Sequence, residues 1–452
     1  MNLLPNIAPS SVQGRQSVSQ FRYTTVTAVV IANMIGTGVF TSLGFQLLDI
    51  RSGFVLLMLW AVGGLIALCG AMTYAELGAA MPRSGGEYNF LTRIYHPSVG
   101  FVSGWVSATV GFAGPTALAA MTFAAYATSS LSADAHPWLL KAMACALIIV
   151  LTLVHASTRR NSGGLQVIFT VLKVGVIVVF CAAALCLVDI PQPVQFLPGG
   201  EDMPLLTSGA FAVSLIYVSY AYTGWNAATY LSGELENPQR TLPWILLGGT
   251  LVVMVLYLAL NYVFLRVAPM DAMSGQVEVG YVAATAAFGE AGGRFAGLVL
   301  SLLLISTVSA MTVAGPRVLQ VIGQDFRILK FLARTNPDGV PSTAIFFQSA
   351  LAILFILTSS FQAVLVFSGF ILALNSFATV LGVFVLRRRQ PDLPRPYRTF
   401  AYPITPLIYL ALTAWTLVYV LLERPVEAWS GLGVIAAGLV LYAVFSVRRA
   451  AD

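Results

Sequence analysis

Residues 32 to 44 read ANMIGTGVFTSLG. The stretch lies inside an apolar run of membrane-spanning length, yet its middle carries Gly36-Thr37-Gly38, three of the weaker helix formers in one place. A glycine in a helix interior costs about 1 kcal/mol relative to alanine. In lipid, each backbone group that a helix releases must find another partner or cost several kcal/mol. The tripeptide therefore marks a point where something other than helix stability is served.

The surrounding chain is built for lipid. Of its 452 residues, 58% are hydrophobic and 9% charged, with a mean hydropathy of +0.84; a soluble chain would carry about 25% charged residues. An integral, all-α membrane protein is implied. A nucleic-acid binder is excluded despite the net charge of +6, which reads as loop charge facing anionic lipid and setting topology. Cys69, Cys145, Cys181 and Cys186 all fall inside apolar runs, where they pack as small hydrophobes rather than forming a disulfide framework. The first 20 residues, with Arg15 their one charge, lack an apolar core followed by a cleavage site, so the first span is expected to insert directly.

Twelve runs are long enough to cross about 30 Å of hydrocarbon: 22–48, 53–80, 97–128, 137–156, 163–188, 207–235, 242–267, 294–323, 343–358, 361–386, 402–422 and 429–447. Most arginines and lysines, among them Arg15, Arg22, Arg159, Arg160 and the Arg387-Arg388-Arg389 triplet, lie in the linkers of one side. Arg51, Lys141, Arg266, Arg294 and Arg424 lie on the other. Both termini are then cytoplasmic by the positive-inside rule, in a cell membrane, inner or plasma. Ser84 to His96 is short and amphipathic, which suits an interfacial helix on the cytoplasmic side. Gly280 to Gly289 (GYVAATAAFG) suits a lid helix outside.

A second interruption stands in the sixth run, where Ser219 to Gly233 reads SYAYTGWNAATYLSG. The first and sixth runs are five spans apart, and interrupted segments at matching places in two five-span halves point to a midplane binding site in an inverted-repeat transporter. A broken helix bares amide N–H groups at the start of its second half, which suit a carboxylate. It also bares carbonyls at the end of its first half, which suit an ammonium. An α-amino acid carries both charges side by side. Close helix packing by small residues is the competing explanation for one Gly-X-Gly; the matching second break disfavours it.

Gly36-Thr37-Gly38-Val39-Phe40 resembles the Gly-Ser/Thr-Gly-Ile/Val-Phe signature of the amino acid–polyamine–organocation transporters. YAELGAAMPRSGGEYNFL (Tyr74 to Leu91), SGELENPQRTLP (Ser232 to Pro243), AGPRVLQVIGQD (Ala314 to Asp325) and LPRPYRTFAYPITP (Leu393 to Pro406) are similar to that family's segments in the same order, and YAYTGWN looks closest to its L-type branch. The resemblance implies a leucine-transporter-like fold of twelve transmembrane helices with discontinuous first and sixth helices. It divides the chain into a tail (1–21), a first five-helix repeat (22–188), a second, inverted repeat (207–386) and two additional helices (402–447). It also implies alternating access, with no cofactor and no metal.

By position in that family, the amides around Gly36, Thr37 and Gly38 hold the substrate carboxylate. The carbonyls of Ile35, Tyr220, Ala221 and Thr223 hold its ammonium. Tyr220, where the family usually has Phe, gates the pocket with an added hydroxyl that needs a partner. Asn226 ties the unwound sixth span to substrate or to a neighbouring helix. L-type relatives of mammals attach an accessory glycoprotein through a cysteine in the second external loop; Ser129 to Pro137 contains none, so no covalent heavy-chain partner is expected.

Lys173, in QVIFTVLKVGVIVVF, sits about ten residues into the fifth run, or about 15 Å at 1.5 Å per residue, close to midplane. A lysine there costs at least about 2.5 kcal/mol to insert, which makes a functional role the default. Snorkelling toward the headgroups is the alternative. The family places a lysine here where sodium-coupled cousins hold Na⁺, and its ammonium would bridge the first span to Ser306 and Thr307 of the eighth. Sodium-independent transport is implied: exchange if the lysine stays charged, proton symport if it titrates.

No Asp or Glu lies mid-span in the third, eighth or tenth runs, so a cationic substrate would lack a countercharge, and small neutral or apolar L-amino acids are favoured. Glu76 and Glu234, near cytoplasmic span ends, are read as anchors for arginines. An enzyme is disfavoured, since His96, His136 and His155 lie far apart at span ends and no metal spacing or nucleotide loop occurs. An amino-acid-sensing receptor on the same fold would carry an identical site, and uptake into vesicles separates the two.

Overall fold

A computed structural model describes residues 23–83, 85–131, 136–157, 163–188, 191–235 and 237–451, and among these no β-strand forms. The expectations for the tail 1–21, Arg15, Arg22, Arg159 and Arg160, and for part of the Ser129–Pro137 loop, fall outside the described residues, as does the Glu234 side chain. Each of the twelve runs appears as helix. The first is split into α1 (Tyr23–Met34) and α2 (Gly38–Gln46). It is followed by α3 (Gly53–Ala80), α4 (Gly86–Ile94), α5 (Pro97–Ser130), α6 (Pro137–Ser157) and α7 (Gly163–Leu187).

The second half contains α8 (Gly209–Tyr222), α9 (Pro238–Val267), α10 (Val279–Asp325), α11 (Ser342–Thr358) and α12 (Phe361–Arg389). Then come α13 (Ile404–Glu423) and α14 (Pro425–Ala451). Ten of the described helices are long and apolar enough to cross a bilayer, counting α1 with α2 as one. The other two, α8 and α11, are shorter. Helix α8 stops at Tyr222 because the chain turns over Thr223 to Asn226 and resumes as a 3₁₀ segment, Ala227–Glu234. Helix α11, at 17 residues, sits at the lower bound of about 17 for a span.

Two other irregularities have local causes. In α5, residues Ser107–Gly111 form a π-turn just before Pro115, whose ring would collide with the Gly111 carbonyl in a regular α-helix and whose nitrogen has no hydrogen to donate. In α10, Gly289 at φ 73° bends a lid-like piece, which begins at Val279, away from the eighth span. Helix α4 forms where an interfacial helix was expected, but it does not lie on a surface. Glu87, Tyr88, Asn89, Phe90, Leu91 and Ile94 are all buried, because the helix inserts among α5, α12 and the 3₁₀ segment. Its amphipathic pattern serves a polar interior contact rather than headgroups.

Candidate substrate site

The two interruptions cross. Chain 35–37 leaves the helical path between α1 and α2, and the Gly36 N–H turns back onto the Met34 carbonyl at 2.8 Å. A β-carbon on Gly38 would lie 2.4 Å from the Ala221 Cα, so glycine alone admits this approach of the first span to the sixth. On the other side, Gly224 adopts φ +102°, and a β-carbon there would meet the Asn33 backbone at 2.8 Å. Each break is therefore pressed against the chain of the other. The first-turn N–H groups of α2 have no acceptor four residues back, and the end of α1 presents its last carbonyls at the same level.

Two side chains hold these loose ends. The Lys173 Nζ donates to the Ile35 carbonyl at 3.1 Å and to the Thr307 Oγ1 at 2.9 Å. The lysine is 5% exposed, so it turns inward to the break instead of snorkelling. Ser306 receives no bond from it: adjacent helical residues point about 100° apart, and Thr307 is the one aimed at α7. The Tyr257 hydroxyl of α9 donates to the Met34 carbonyl at 2.5 Å and lies 3.1 Å from that of Ala221, which links the two broken ends directly.

Of the carbonyls assigned to an ammonium by resemblance, that of Ile35 accepts from Lys173, that of Tyr220 from the Thr223 N–H at 2.9 Å, and that of Ala221 lies 3.1 Å from the Tyr257 hydroxyl. The Tyr220 carbonyl also accepts from the Thr223 hydroxyl at 2.6 Å, whereas those of Ile35 and Ala221 each keep a second lone pair. Tyr220 is buried, with its added hydroxyl near the Thr37 side chain.

Toward the α2 end the crossing is covered. Phe45 stacks on Phe361 with ring centroids 5.6 Å apart and 12° between planes. Tyr217 leans on Phe45 and accepts from the Gln362 amide at 2.8 Å. The Tyr126 hydroxyl donates to the Phe40 carbonyl and accepts from the Gly280 N–H, which fastens the lid piece of α10 over α2.

Toward the α4 end, the Asn226 Nδ2 donates to the Glu87 Oε1 at 3.1 Å, so Asn226 ties the unwound segment to a neighbouring helix. Glu87 lies in Tyr74 to Leu91, one of the stretches that carry the family resemblance, yet as a residue it went unremarked, because an acid in a short amphipathic segment beside a linker looks solvated. Burial raises its carboxyl above the usual carboxylate range, while hydrogen bonds from Tyr74, Ser376, Asn375 and Asn226 pull it back down. Tyr257 was missed as well: nothing in its apolar run separates it from the other tyrosines. Glu76 does meet arginines, pairing with Arg387 at 2.7 Å and lying 3.6 Å from the Arg395 Nε.

Two interrupted helices that cross at a buried point, in a multi-pass helical membrane protein whose residues 21–445 match the family model of the amino acid permeases, define a transporter rather than an enzyme. The chain belongs to the amino acid permease family. It is 30% identical over 435 residues to the large neutral amino acids transporter small subunit 2 of Homo sapiens, covering 92% of this chain and 78% of that protein. The serine/threonine exchanger SteT of Bacillus subtilis (strain 168) is 27% identical over 429 residues, covering 93% of this chain and 95% of its own. The b(0,+)-type amino acid transporter 1 of Mus musculus is likewise 27% identical over 429 residues, covering 92% and 86%.

Proposed function

We propose that the chain exchanges small neutral or apolar L-amino acids across a cell membrane, independently of sodium, by alternating access. The observation that carries this is the crossing of the two breaks at Gly38 and Ala221, which sets first-turn amides of α2 beside the last carbonyls of α1 and α8. A zwitterion bound there meets donors with its carboxylate and acceptors with its ammonium. The relatives' names support the class, since they describe transport of large neutral amino acids and exchange of serine and threonine.

In this reading all twelve helical runs span the bilayer, with both termini cytoplasmic. The first ten form two inverted repeats, 22–188 and 207–386, and 402–447 adds two helices. Gly36, Thr37 and Gly38 receive the carboxylate. Ile35, Tyr220, Ala221 and Thr223 receive the ammonium under a Tyr220 gate, and Asn226 braces the sixth span. Lys173 with Thr307 occupies the place of a coupling cation, which excludes Na⁺. Glu87 is saturated by neutral donors and so does not serve as a countercharge for cationic substrates. The absence of cysteine from Ser129 to Pro137 accords with function without a covalently attached partner.

One observation favours proton symport as the second reading: the bonds described for Lys173 go to a carbonyl and a hydroxyl rather than to a carboxylate, so loss of its proton strands no opposite charge. Proteoliposome flux separates the readings. Uptake that requires internal amino acid is exchange; uptake into empty vesicles driven by an inward proton gradient is symport; binding without flux is a receptor.

A further inference from the structure

Glu87 is a buried acid, 4% exposed, that the account of binding does not use. Its carboxylate gathers groups from separate parts of the fold. Oε1 accepts from the Tyr74 hydroxyl at 2.6 Å, the Ser376 hydroxyl at 2.9 Å and the Asn226 amide at 3.1 Å. Oε2 accepts from the Asn375 amide at 2.5 Å and the Tyr230 hydroxyl at 3.4 Å. Among the described residues it forms no ion pair. All five partners carry a hydrogen, and an ionised carboxylate is the side chain that accepts from all of them at once.

The elements joined are α3, α4, α12 and the inner part of the sixth span. Asn226 follows the φ +102° pivot at Gly224 by two residues, and Tyr230 lies so close that a β-carbon on Gly86 would come within 2.6 Å of its ring. The cluster thus grips the sixth span just past its break.

We propose that Glu87 is a positioning residue of the transport cycle: as an anion it clamps the inner half of the sixth span to α3, α4 and α12, and that half swings when the clamp is released. The proposal rests on the transport reading above. Protonation turns one acceptor oxygen into a donor, and the amide nitrogens of Asn226 and Asn375 cannot accept from it, so the clamp loosens in acid. The groups that face Glu87 are Tyr74 of α3, Tyr230 of the 3₁₀ segment, Tyr409 of α13 and the neutral Asn375 and Ser376 of α12. Asp325 of α10 is engaged by Tyr88 and Arg83. With burial raising the Glu87 carboxyl, release begins at a higher pH than for a free glutamate.

The test reads the clamp without substrate. In the full chain, with Cys69, Cys145, Cys181 and Cys186 changed to alanine, Ser232→Cys places a thiol on the 3₁₀ segment at a buried position, and its rate of maleimide modification is measured. Glu87→Gln is expected to raise that rate about tenfold at neutral pH, the equivalent of one hydrogen bond to a charged group. The ratio of variant to parent rates should approach one in acid. Glu87→Gln combined with Asn375→Asp returns a carboxylate to the cluster and should restore the slow rate, which a packing role would not do. Ser376→Ala, which removes one donor to the carboxylate and almost no bulk, should likewise raise the rate about tenfold and decides the matter if Glu87→Gln fails to fold. Equal rates in parent and variants, or no recovery in the double variant, overturn the proposal. Neutral amino acid flux by the parent in the same preparation reads the transport proposal separately.

Discussion

Gly38 and Ala221 touch where the first and sixth spans cross, and a β-carbon on Gly38 would stand 2.4 Å from the Ala221 Cα and 2.6 Å from its Cβ. Gly36, two residues earlier, has nothing nearer than 3.9 Å at the same test, namely the Met34 carbonyl and the Thr307 methyl. The two glycines of one motif therefore do different jobs. Gly38 permits an approach of backbones; Gly36 keeps open space beside the break.

That difference predicts an asymmetry. Gly38→Ala forces the crossing apart and should weaken binding of a neutral amino acid by at least about tenfold, since forced overpacking costs about 1–3 kcal/mol. Gly36→Ala, whose β-carbon would meet nothing nearer than 3.9 Å, should stay within about threefold of the parent. Scintillation proximity binding on purified protein checks both, and equal losses would mean that the crossing is not what limits affinity.

Lys173 and Thr307 form a second contrast. Lys173→Ala leaves the Ile35 carbonyl and the Thr307 hydroxyl without their shared donor in a buried site, and it should cut turnover by at least about tenfold, as expected for one lost hydrogen bond to a charged group. Thr307→Val should impair turnover in the same direction, whereas Ser306→Ala should not. Reconstituted flux at saturating substrate distinguishes them.

Tyr257 joins the Met34 and Ala221 carbonyls through one hydroxyl. Tyr257→Phe removes that link while leaving the ring, and it should cost about 1–2 kcal/mol in substrate affinity. Equilibrium binding measures it, and unchanged affinity would show that the broken ends hold position without the bridge.

Glu76 is buried on α3, where it accepts from Arg387 and from the Thr399 N–H and hydroxyl, while the Arg387 guanidinium stacks 3.6 Å over the Tyr402 ring. Arg387→Ala removes the closer of the two arginines that face the carboxylate, leaving Arg395 and the Thr399 donors, and should destabilise the fold by about 1–3 kcal/mol. A lowered melting temperature with unchanged substrate affinity is the expected pattern, because this pair fastens the α12–α13 loop away from the crossing.

The breaks were legible because weak helix formers stand out against an apolar run, and Lys173 because an isolated charge does the same. What Lys173 binds was legible in part: the family resemblance offered Ser306 and Thr307 together, but rotation about the helix decides which one faces α7, and single-sequence periodicity does not fix that angle. The burial of α4 was hidden for a related reason. An amphipathic pattern says that one face is polar, not whether water or a buried network meets it, so Glu87 passed as a linker acid. Tyr257 gave no sign at all, since a tyrosine in a long apolar helix packs equally well with its hydroxyl toward a neighbour or toward a broken strand of backbone.

The account's centre is that the loose ends of two broken spans hold both charges of one amino acid. Competition of a labelled neutral L-amino acid by its own N-acetyl and carboxamide derivatives, on the parent protein, tests this most directly. Each derivative removes one charge-assisted hydrogen-bond set, and each should bind at least about tenfold more weakly than the free amino acid. If either derivative competes as well as the free amino acid does, the loose ends do not grip that charge and the account is wrong.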